Sequence, residues 1–290
     1  MKKKWIKKKL DKGFTLLIFL SLIFLTQSCY ESKEGCLDIR ASNFDFDADN
    51  DCCLEDECCC EYPSLTLDIV HKLFKDSVEN FDLGTEYEWP IGQGLFVVEN
   101  IRFYLSKFEL HGTETLHIED LINLNIQNQN GTIEEATVED NFVLIRPGVF
   151  SYDIGEIRGA GSYDSLSMQY GVFFPASNAI PESLPDGHPL AIQEPVMQIN
   201  AFQGYVNCQV ILKKDTFVTT ISDTLNLFST NQIPFEFTSP QTVENGLNKV
   251  LKLRINYLEW FQGIDFALDS NDELINKMSN NLTDSFEYNE

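Results

Sequence analysis

LTLDIVHKLF (Leu65–Phe74) and FVVENIRFYLSKFEL (Phe96–Leu110) are the two stretches that decide the fold of this chain. From Leu65 to Ile69, apolar residues alternate with others, which is the two-residue period of a strand with one buried face. The second stretch is rich in β-branched and aromatic residues, which pack well on a pleated sheet. Both stretches therefore predict β-strands.

The same texture continues along the chain, interrupted by turn-forming sequences. Three further runs have strand character: Ser165–Phe174, Tyr205–Leu212 and Val250–Tyr257. Helical periodicity is confined to Ser270–Phe286, where one predicted helix face would carry Leu274, Ile275, Met278 and Leu282. Many strands and few helices predict a mostly β fold. We expect an antiparallel β-sandwich over residues 63–290 with a short C-terminal helix, preceded by a small disulfide-rich segment.

The N-terminus has the composition of a signal peptide. Seven lysines precede an uncharged, mostly apolar run of 12 residues, Phe14–Leu25. A run of that length is too short to span roughly 30 Å of hydrocarbon as a helix. It ends at Leu25-Thr26-Gln27-Ser28-Cys29, and small residues before a cysteine suit a lipoprotein signal peptidase. We therefore predict a signal peptide over residues 1–28, a lipidated Cys29 and a tether over residues 29–34.

Export and charge together limit the partners of the chain. Loss of residues 1–28, which hold seven lysines and Asp11, takes the formal net charge from −24 to −30. Such a surface repels nucleic acid and anionic headgroups, so no nucleic-acid partner is expected. Lipid chains would anchor the protein without spanning the bilayer. The predicted location is the outer membrane, on its periplasmic or cell-surface face.

Residues 35–62 form a distinct module that is rich in acid and cysteine but almost free of aliphatic side chains. Such a module cannot build a hydrophobic core, so disulfides or metal must order it. Clustered cysteines in an exported protein favour disulfides. The candidates are Cys36, Cys52, Cys53, Cys58, Cys59 and Cys60. The leftover Cys208 lies in a strand-like run and is predicted to be a buried thiol.

The same module carries four alternating carboxylates: Asp45, Asp47, Asp49 and Asp51. Carboxylates on a flexible loop suit a hard cation such as Ca²⁺. A purely structural, disulfide-bonded spacer explains the module equally well. If the cysteines were reduced, their thiolates would instead suit a soft metal such as Cu(I).

No catalytic constellation stands out in the sequence. The four histidines are His71, His111, His117 and His188, and the GxSxG and HExxH motifs are absent. The chain has 45 Asp and Glu residues, so pairs of carboxylates carry no information. We predict a non-enzymatic protein, with His111 and His117 exposed beside a turn.

A set of individually weak motifs occurs in a fixed order over roughly residues 64 to 288. His71 falls at the end of the first predicted strand, Gly94 in the turn before the second, and Asn280–Phe286 in the predicted closing helix. The other members are Phe96, Arg102, Tyr104, Ser106, Leu110, Gly171, Met197, Gly204 and Tyr205. In order and spacing, this set resembles the MbnP-like copper-binding protein family.

The resemblance implies a β-sandwich outside the cytoplasm that binds one copper ion. In the family, histidine and an oxidised tryptophan lie at the metal, and a di-haem peroxidase is the modifying partner. The family tryptophans fall at Ile199 and Ala201 here, so this partner would lack its substrate. The remaining candidate copper ligands are His71, His188 and Met197, because imidazole and thioether groups both bind copper.

Two functions follow from these observations. The first is copper acquisition or storage by an exported, non-catalytic lipoprotein. The second is a cell-surface interaction module that has kept the sandwich and lost the metal site.

Overall fold

The computed structural model describes residues 31–53, 58–128, 130–200, 203–218 and 221–289. The predicted signal peptide and Cys29 lie outside these residues. The chain divides into two compact units, Met1–Leu37 with Asp45–Cys60, and Asp38–Phe44 with Glu61–Glu290. Among the described residues, no helix combines the length and apolar character needed to cross a bilayer.

Covalent bonds hold the smaller unit. Its strands β1 (Glu34–Gly35) and β2 (Asn50–Asp51) pair in parallel. Three nested disulfides close it: Cys36–Cys60, Cys52–Cys59 and Cys53–Cys58. In the larger unit, Cys208 is a free and fully buried thiol. The predicted oxidation of the six clustered cysteines and the predicted burial of Cys208 are thus confirmed.

One sheet of the larger unit is formed by strands that are distant in sequence. Its middle strands are β3 (Ser64–Lys72) and β17 (Lys249–Asn256), and its outer strands are β10 (Ser151–Glu156) and β18 (Phe286–Tyr288). Every second residue of β3 is buried, as its alternation predicts. The β3–β17 pair departs from the predicted antiparallel pattern because it is parallel. Parallel pairing needs a long connection, and the strands of the other sheet lie within it.

The second sheet is built around the long strand β5 (Leu95–Gly112). It pairs antiparallel with β14 (Cys208–Lys213) on one side and with β11 (Gly161–Tyr170) on the other. β15 (Asp223–Leu227) and β16 (Asn231–Val243) extend the two edges. Short strands also pair with β5: β4 (Glu86–Glu88), β6 (Thr115–Leu116) and β9 (Val143–Ile145). Two separate hairpins are β7 (Leu121–Gln127) with β8 (Ile133–Glu139) and β12 (Gln198–Asn200) with β13 (Gly204–Tyr205). The predicted mostly β sandwich is confirmed.

Helix α1 (Asn271–Asn281) is the predicted short C-terminal helix. It begins at a capping box in which Ser270 and Glu273 satisfy each other's backbone N–H groups. The helix is shorter than the predicted Ser270–Phe286. The chain tightens into a 3-10 turn over Leu282–Ser285 and then extends to pair with β17.

Two hydrophobic clusters fill the larger unit. The first combines the inward faces of β3 and β17 with one face of β5 and β14. The second covers the opposite face of β5 with residues of β7, β8 and the segment 172–206. Because side chains alternate along a strand, Phe103 belongs to the first cluster and Tyr104 to the second. Burial on both faces explains why β5 is so apolar and aromatic.

Candidate functional site

His71 lies in the protein core. It lies on the buried face of β3 and is 4% exposed. Its Nε2 donates to the carbonyl oxygen of Val149 at 2.8 Å, so Nδ1 accepts from the Tyr257 hydroxyl at 2.8 Å. Burial lowers the pKa of His71 from its ordinary value of 6.5, because a charged ring would lose its hydration. His71 is therefore a neutral ring with both nitrogens bonded inside the protein.

His188 lies in the loop that precedes β12, and its ring is also fully engaged. Nδ1 accepts from the backbone N–H of Leu190 at 3.1 Å. Nε2 therefore carries the proton and donates to Oδ1 of Asp140 at 2.9 Å. The His188 side chain is only 8% exposed. Neither ring nitrogen of His188 is left to bind a metal in this arrangement.

The three candidate copper ligands do not converge. Met197 is 1% exposed and belongs to the second cluster. His188 borders the same cluster, because its ring packs edge-on to Phe142 with centroids 6.3 Å apart. His71 instead stacks on Tyr257 of the first cluster, with centroids 5.6 Å apart. The structure brings His188 and Met197 to one region and places His71 in another.

The alternating carboxylates stabilise their own loop. Asp45 forms an ion pair with Lys33 Nζ at 2.6 Å, and the hydrogen bond from Lys33 lowers the pKa of its carboxyl. Asp49 accepts from the backbone N–H of Lys33 at 2.9 Å. Asp51 accepts from the backbone N–H of Cys53 at 3.2 Å. Asp45 also accepts from the backbone N–H of Asp47 at 3.0 Å. Asp45, Asp49 and Asp51 thus each bond to groups of their own loop.

One group of potential metal donors does converge in this unit. Within the described ranges, a single set of three or more His, Cys, Asp and Glu donor atoms lies within 4.8 Å of one another: Asp51, Cys52, Cys53 and Cys60. Its three sulfur atoms are all in disulfides. A sulfur in a disulfide has no thiolate to offer, so the oxidised group is not a soft-metal site.

The motif residues of β5 anchor the loops that carry His188 and Met197. Arg102 is 3% exposed and donates to the Pro195 carbonyl and to Gln209 Oε1. Tyr104 donates to the Pro189 carbonyl at 3.1 Å. Ser106 donates to the Gly171 carbonyl at 2.7 Å. These side chains lie on one face of the strand, because they alternate with the first-cluster residues. Their role is to position loops, which the sequence motif alone did not reveal.

Gly94 has a packing reason for being glycine. The Trp89 ring lies over it so closely that a Cβ atom would overlap the indole. Trp89 is fixed there by its Nε1–H, which donates to the Lys214 carbonyl at 2.6 Å. The tryptophan therefore closes the β4–β5 connection rather than a metal site.

His111 and His117 lie on the β5–β6 hairpin near one carboxylate. Glu109 is 3.7 Å from Nε2 of His111 and 3.5 Å from Nδ1 of His117. The two imidazole side chains are 38% and 46% exposed. His117 is exposed, as predicted, whereas His111 is half-buried and its Nε2 lies 2.7 Å from the Ser167 hydroxyl oxygen.

A polar cleft of about 480 Å³ opens on the larger unit and was not predicted from the sequence. We call it the Lys107 cleft. Its lining includes Lys107, Gln169, Phe174, Gln203, Asn207 and Phe228. Gly204 and Tyr205, which belong to the motif set, also line it. Ligand pockets typically have volumes of about 300–1,000 Å³, so the cleft can hold a small molecule.

The two positions of the family tryptophans lie near this cleft in sequence. Ile199 is on β12 and is 47% exposed. Ala201 lies outside the described residues. Ile199 offers no polar or oxidisable ring for a metal site.

A protein family and a solved structure are similar to this chain. The MbnP family model matches residues 62–279 of the chain. Among solved structures, MbnP from Methylosinus trichosporium is similar at 11% sequence identity and a TM-score of 0.38. That match covers 69% of this chain and 78% of the other. A comparison with curated proteins found no match.

Proposed function

The chain belongs to the MbnP family, and on that premise we propose that it is an exported, lipid-anchored, non-catalytic binding domain. The basic and apolar N-terminal residues and Cys29 support export and anchoring. The sequence has neither a GxSxG nor an HExxH motif, which supports a non-catalytic role. The domain would then act by binding, at the outer membrane.

We favour a surface interaction module that holds no metal at His71, His188 and Met197. One observation carries this choice: both ring nitrogens of both histidines are already hydrogen-bonded within the protein. Copper at His71 would have to displace the buried Tyr257 hydroxyl or the Val149 carbonyl. An unpaired buried polar group costs about 1–3 kcal/mol. These residues, as arranged, do not fit a copper site.

Copper acquisition or storage is the second candidate, and family membership favours it. Calcium binding by the acidic loop has less support as a function, because the carboxylates there bond to Lys33 and to backbone N–H groups. A di-haem peroxidase partner has the least support, because Ile199 stands at a position of the family tryptophans. Mass spectrometry of the peptide around Ile199 should therefore show no oxidation product of tryptophan.

Copper titration of the full-length, detergent-solubilised protein separates the two candidates. Cu(I) and Cu(II) are added without thiol reductant, so that the disulfides survive, and bound copper is counted after gel filtration. The interaction module predicts no stoichiometric copper once the exposed imidazole is removed by His117→Ala. One copper per chain in that variant, lost in both His188→Asn and Met197→Leu, would establish the copper role instead.

Anchoring is tested separately by cell fractionation. Wild-type protein should be in the membrane fraction, and Cys29→Ala should be unprocessed or soluble. Ser32→Ala is a matched control in the adjoining tether. Normal processing and membrane recovery of Cys29→Ala would contradict the lipid anchor.

A further inference from the structure

We propose that the Lys107 cleft binds a small organic anion, whose oxyanion group contacts Lys107 and whose apolar body contacts the flanking phenylalanines. The inference gives the proposed binding role a ligand class and rests on that role. It concerns residues other than the candidate copper and calcium ligands.

Lys107 does not take part in the regular pairing of β5 with β11. Ser106 pairs with Gln169 and Glu109 with Ser167, so two residues of β5 oppose one residue of β11. Lys107 is therefore in a β-bulge, and its φ is +52°. A left-handed conformation is unfavourable for a lysine and persists only where the surroundings enforce it. Bulges often re-aim a side chain beside a functional site.

A hydrogen bond to a buried side chain holds Lys107 in the left-handed conformation. The backbone N–H of Lys107 donates to Oδ1 of Asn141 at 3.0 Å. Asn141 is fully buried and in turn donates to Glu139 at 3.1 Å. A buried carboxamide thus replaces the ladder hydrogen bond that the bulge removes. The strained residue is fixed in place, although glycine would adopt its φ more easily.

Lys107 brings an uncompensated positive charge to the cleft. Its ammonium lies 4.8 Å from the centre of the Phe173 ring. Within the described part of the chain, no carboxylate is at ion-pair distance from it, and the described lining contains no Asp or Glu. The chain as a whole has 45 acidic and 21 basic residues. A described lining without carboxylates, in so acidic a protein, favours a negatively charged ligand.

The carboxamides that line the cleft have donors to spare. The backbone N–H of Gln203 donates to Oδ1 of Asn200, which leaves the Asn200 amide nitrogen to donate to Oε1 of Gln203 at 2.7 Å. Gln169 likewise accepts through Oε1, from Gln232 at 3.4 Å. Among the described residues, no acceptor pairs with the side-chain N–H groups of Gln203 and Gln169, so these groups complement one. An oxyanion offers acceptors only, which matches this set together with the lysine.

Exposed aromatic rings provide the apolar side of the site. Phe174 is 76% exposed and Phe228 is 42% exposed, and both line the cleft. Contact with the apolar part of a ligand would remove this area from water. A ligand with a charged oxyanion group and an apolar ring would use both features of the cleft.

Hydrogen bonds hold the floor of the cleft together. Asn207 is 5% exposed, accepts from the backbone N–H of Val172 and donates to the carbonyls of Phe228 and Ser229. It thereby fixes three chain segments together. A Cβ at Gly171 would come within 2.7 Å of the Asn207 side chain, so glycine is needed for this close approach. A preformed cleft loses little entropy on binding.

The test uses benzoate and phenyl phosphate as probes and benzyl alcohol as their uncharged counterpart. Binding to the full-length protein in detergent is measured by calorimetry and by ligand-observed NMR at low salt. Wild-type protein should bind at least one anion and should bind benzyl alcohol about tenfold more weakly or worse. The tighter of the two anions identifies the preferred oxyanion group.

Variants locate the binding. Lys107→Met should raise the dissociation constant about tenfold or more, as loss of a charge-assisted hydrogen bond would. Lys107→Arg should retain most of the affinity. Lys107→Gly, which suits the left-handed backbone, should fold normally and still lose binding. Lys252→Met is the matched control, because Lys252 is exposed on β17 in the other sheet.

Three results would overturn the inference: neither anion binds wild-type protein, Lys107→Met binds as tightly as wild type, or benzyl alcohol binds as well as the anions. Stoichiometric copper together with no anion binding would overturn this inference and leave a binding role standing. Anion binding without copper would support both this inference and the interaction module.

Discussion

Replacing His71 by alanine tests whether this residue belongs to the core or to a metal site. In the metal-free protein, a histidine that served only as a ligand would be nearly neutral to remove, within about 0.5 kcal/mol. The structure predicts a large loss of stability instead. His71 is 4% exposed, and its ring bonds to both Val149 and Tyr257.

The size of the loss follows from two contributions. The Tyr257 hydroxyl is fully buried and would lose its acceptor, which costs about 1–3 kcal/mol. The ring packs against Phe150 and Tyr257, and the space left by its removal costs about 1–2 kcal/mol. We expect a total of about 3 kcal/mol. In a domain of this size that lowers Tm by about 6–12 °C.

Chemical and thermal denaturation in the presence of a chelator measure this loss. The exposed His117→Ala is the control and should stay within about 0.5 kcal/mol of wild type. A double-mutant cycle with Tyr257→Phe isolates the hydrogen bond. Removing both partners leaves no unpaired hydroxyl, so the double variant should be more stable than additivity predicts by about 1 kcal/mol. A neutral His71→Ala, or strictly additive losses, would refute the core assignment.

Three further predictions follow from the structure. Because burial lowers the folded-state pKa of His71, the unfolded chain takes up its proton first as the pH falls. Below pH 6.5 the wild-type protein should therefore lose stability faster than His71→Gln. The two slopes should differ by at most about 1.4 kcal/mol per pH unit, and parallel curves would contradict the prediction. Gly94→Ala should cost about 1–3 kcal/mol in urea unfolding and shift the Trp89 fluorescence, because the added methyl displaces the indole; an unchanged spectrum would exclude that displacement. Cys208 should be inert to a thiol reagent in the folded protein and react after unfolding without reductant, since burial raises its pKa and blocks access; rapid labelling of folded protein would count against its burial.

Much of the fold was predictable because its signals are local. The alternation of β3 and the aromatic run of β5 are properties of neighbouring residues, and both became strands. The alternation of β3 also predicts that His71 is buried. His71 is two residues after Ile69 and so falls on the same buried face. The β3–β17 pair was not predictable, because its direction depends on how some 180 intervening residues are arranged.

The candidate site shows the same division. The motif set identified the family correctly, since order and spacing survive in the sequence. It could not show that Arg102, Tyr104 and Ser106 anchor loops, because their partners lie 65 to 107 residues away. Lys107 gave no sequence signal at all. Its left-handed conformation arises from a register shift between β5 and β11, which exists only in the assembled sheet.

The sequence by itself determined the strands, the C-terminal helix, the family and the set of cysteines that are oxidised. Each of these depends on composition, periodicity or parity within the chain. Only the tertiary structure decided which cysteines pair and that both nitrogens of His71 and His188 are occupied. It alone placed Lys107 in a cleft whose described lining has no carboxylate. Those outcomes depend on which distant groups become neighbours, and hydrogen bonding and burial act only between groups that folding has brought together.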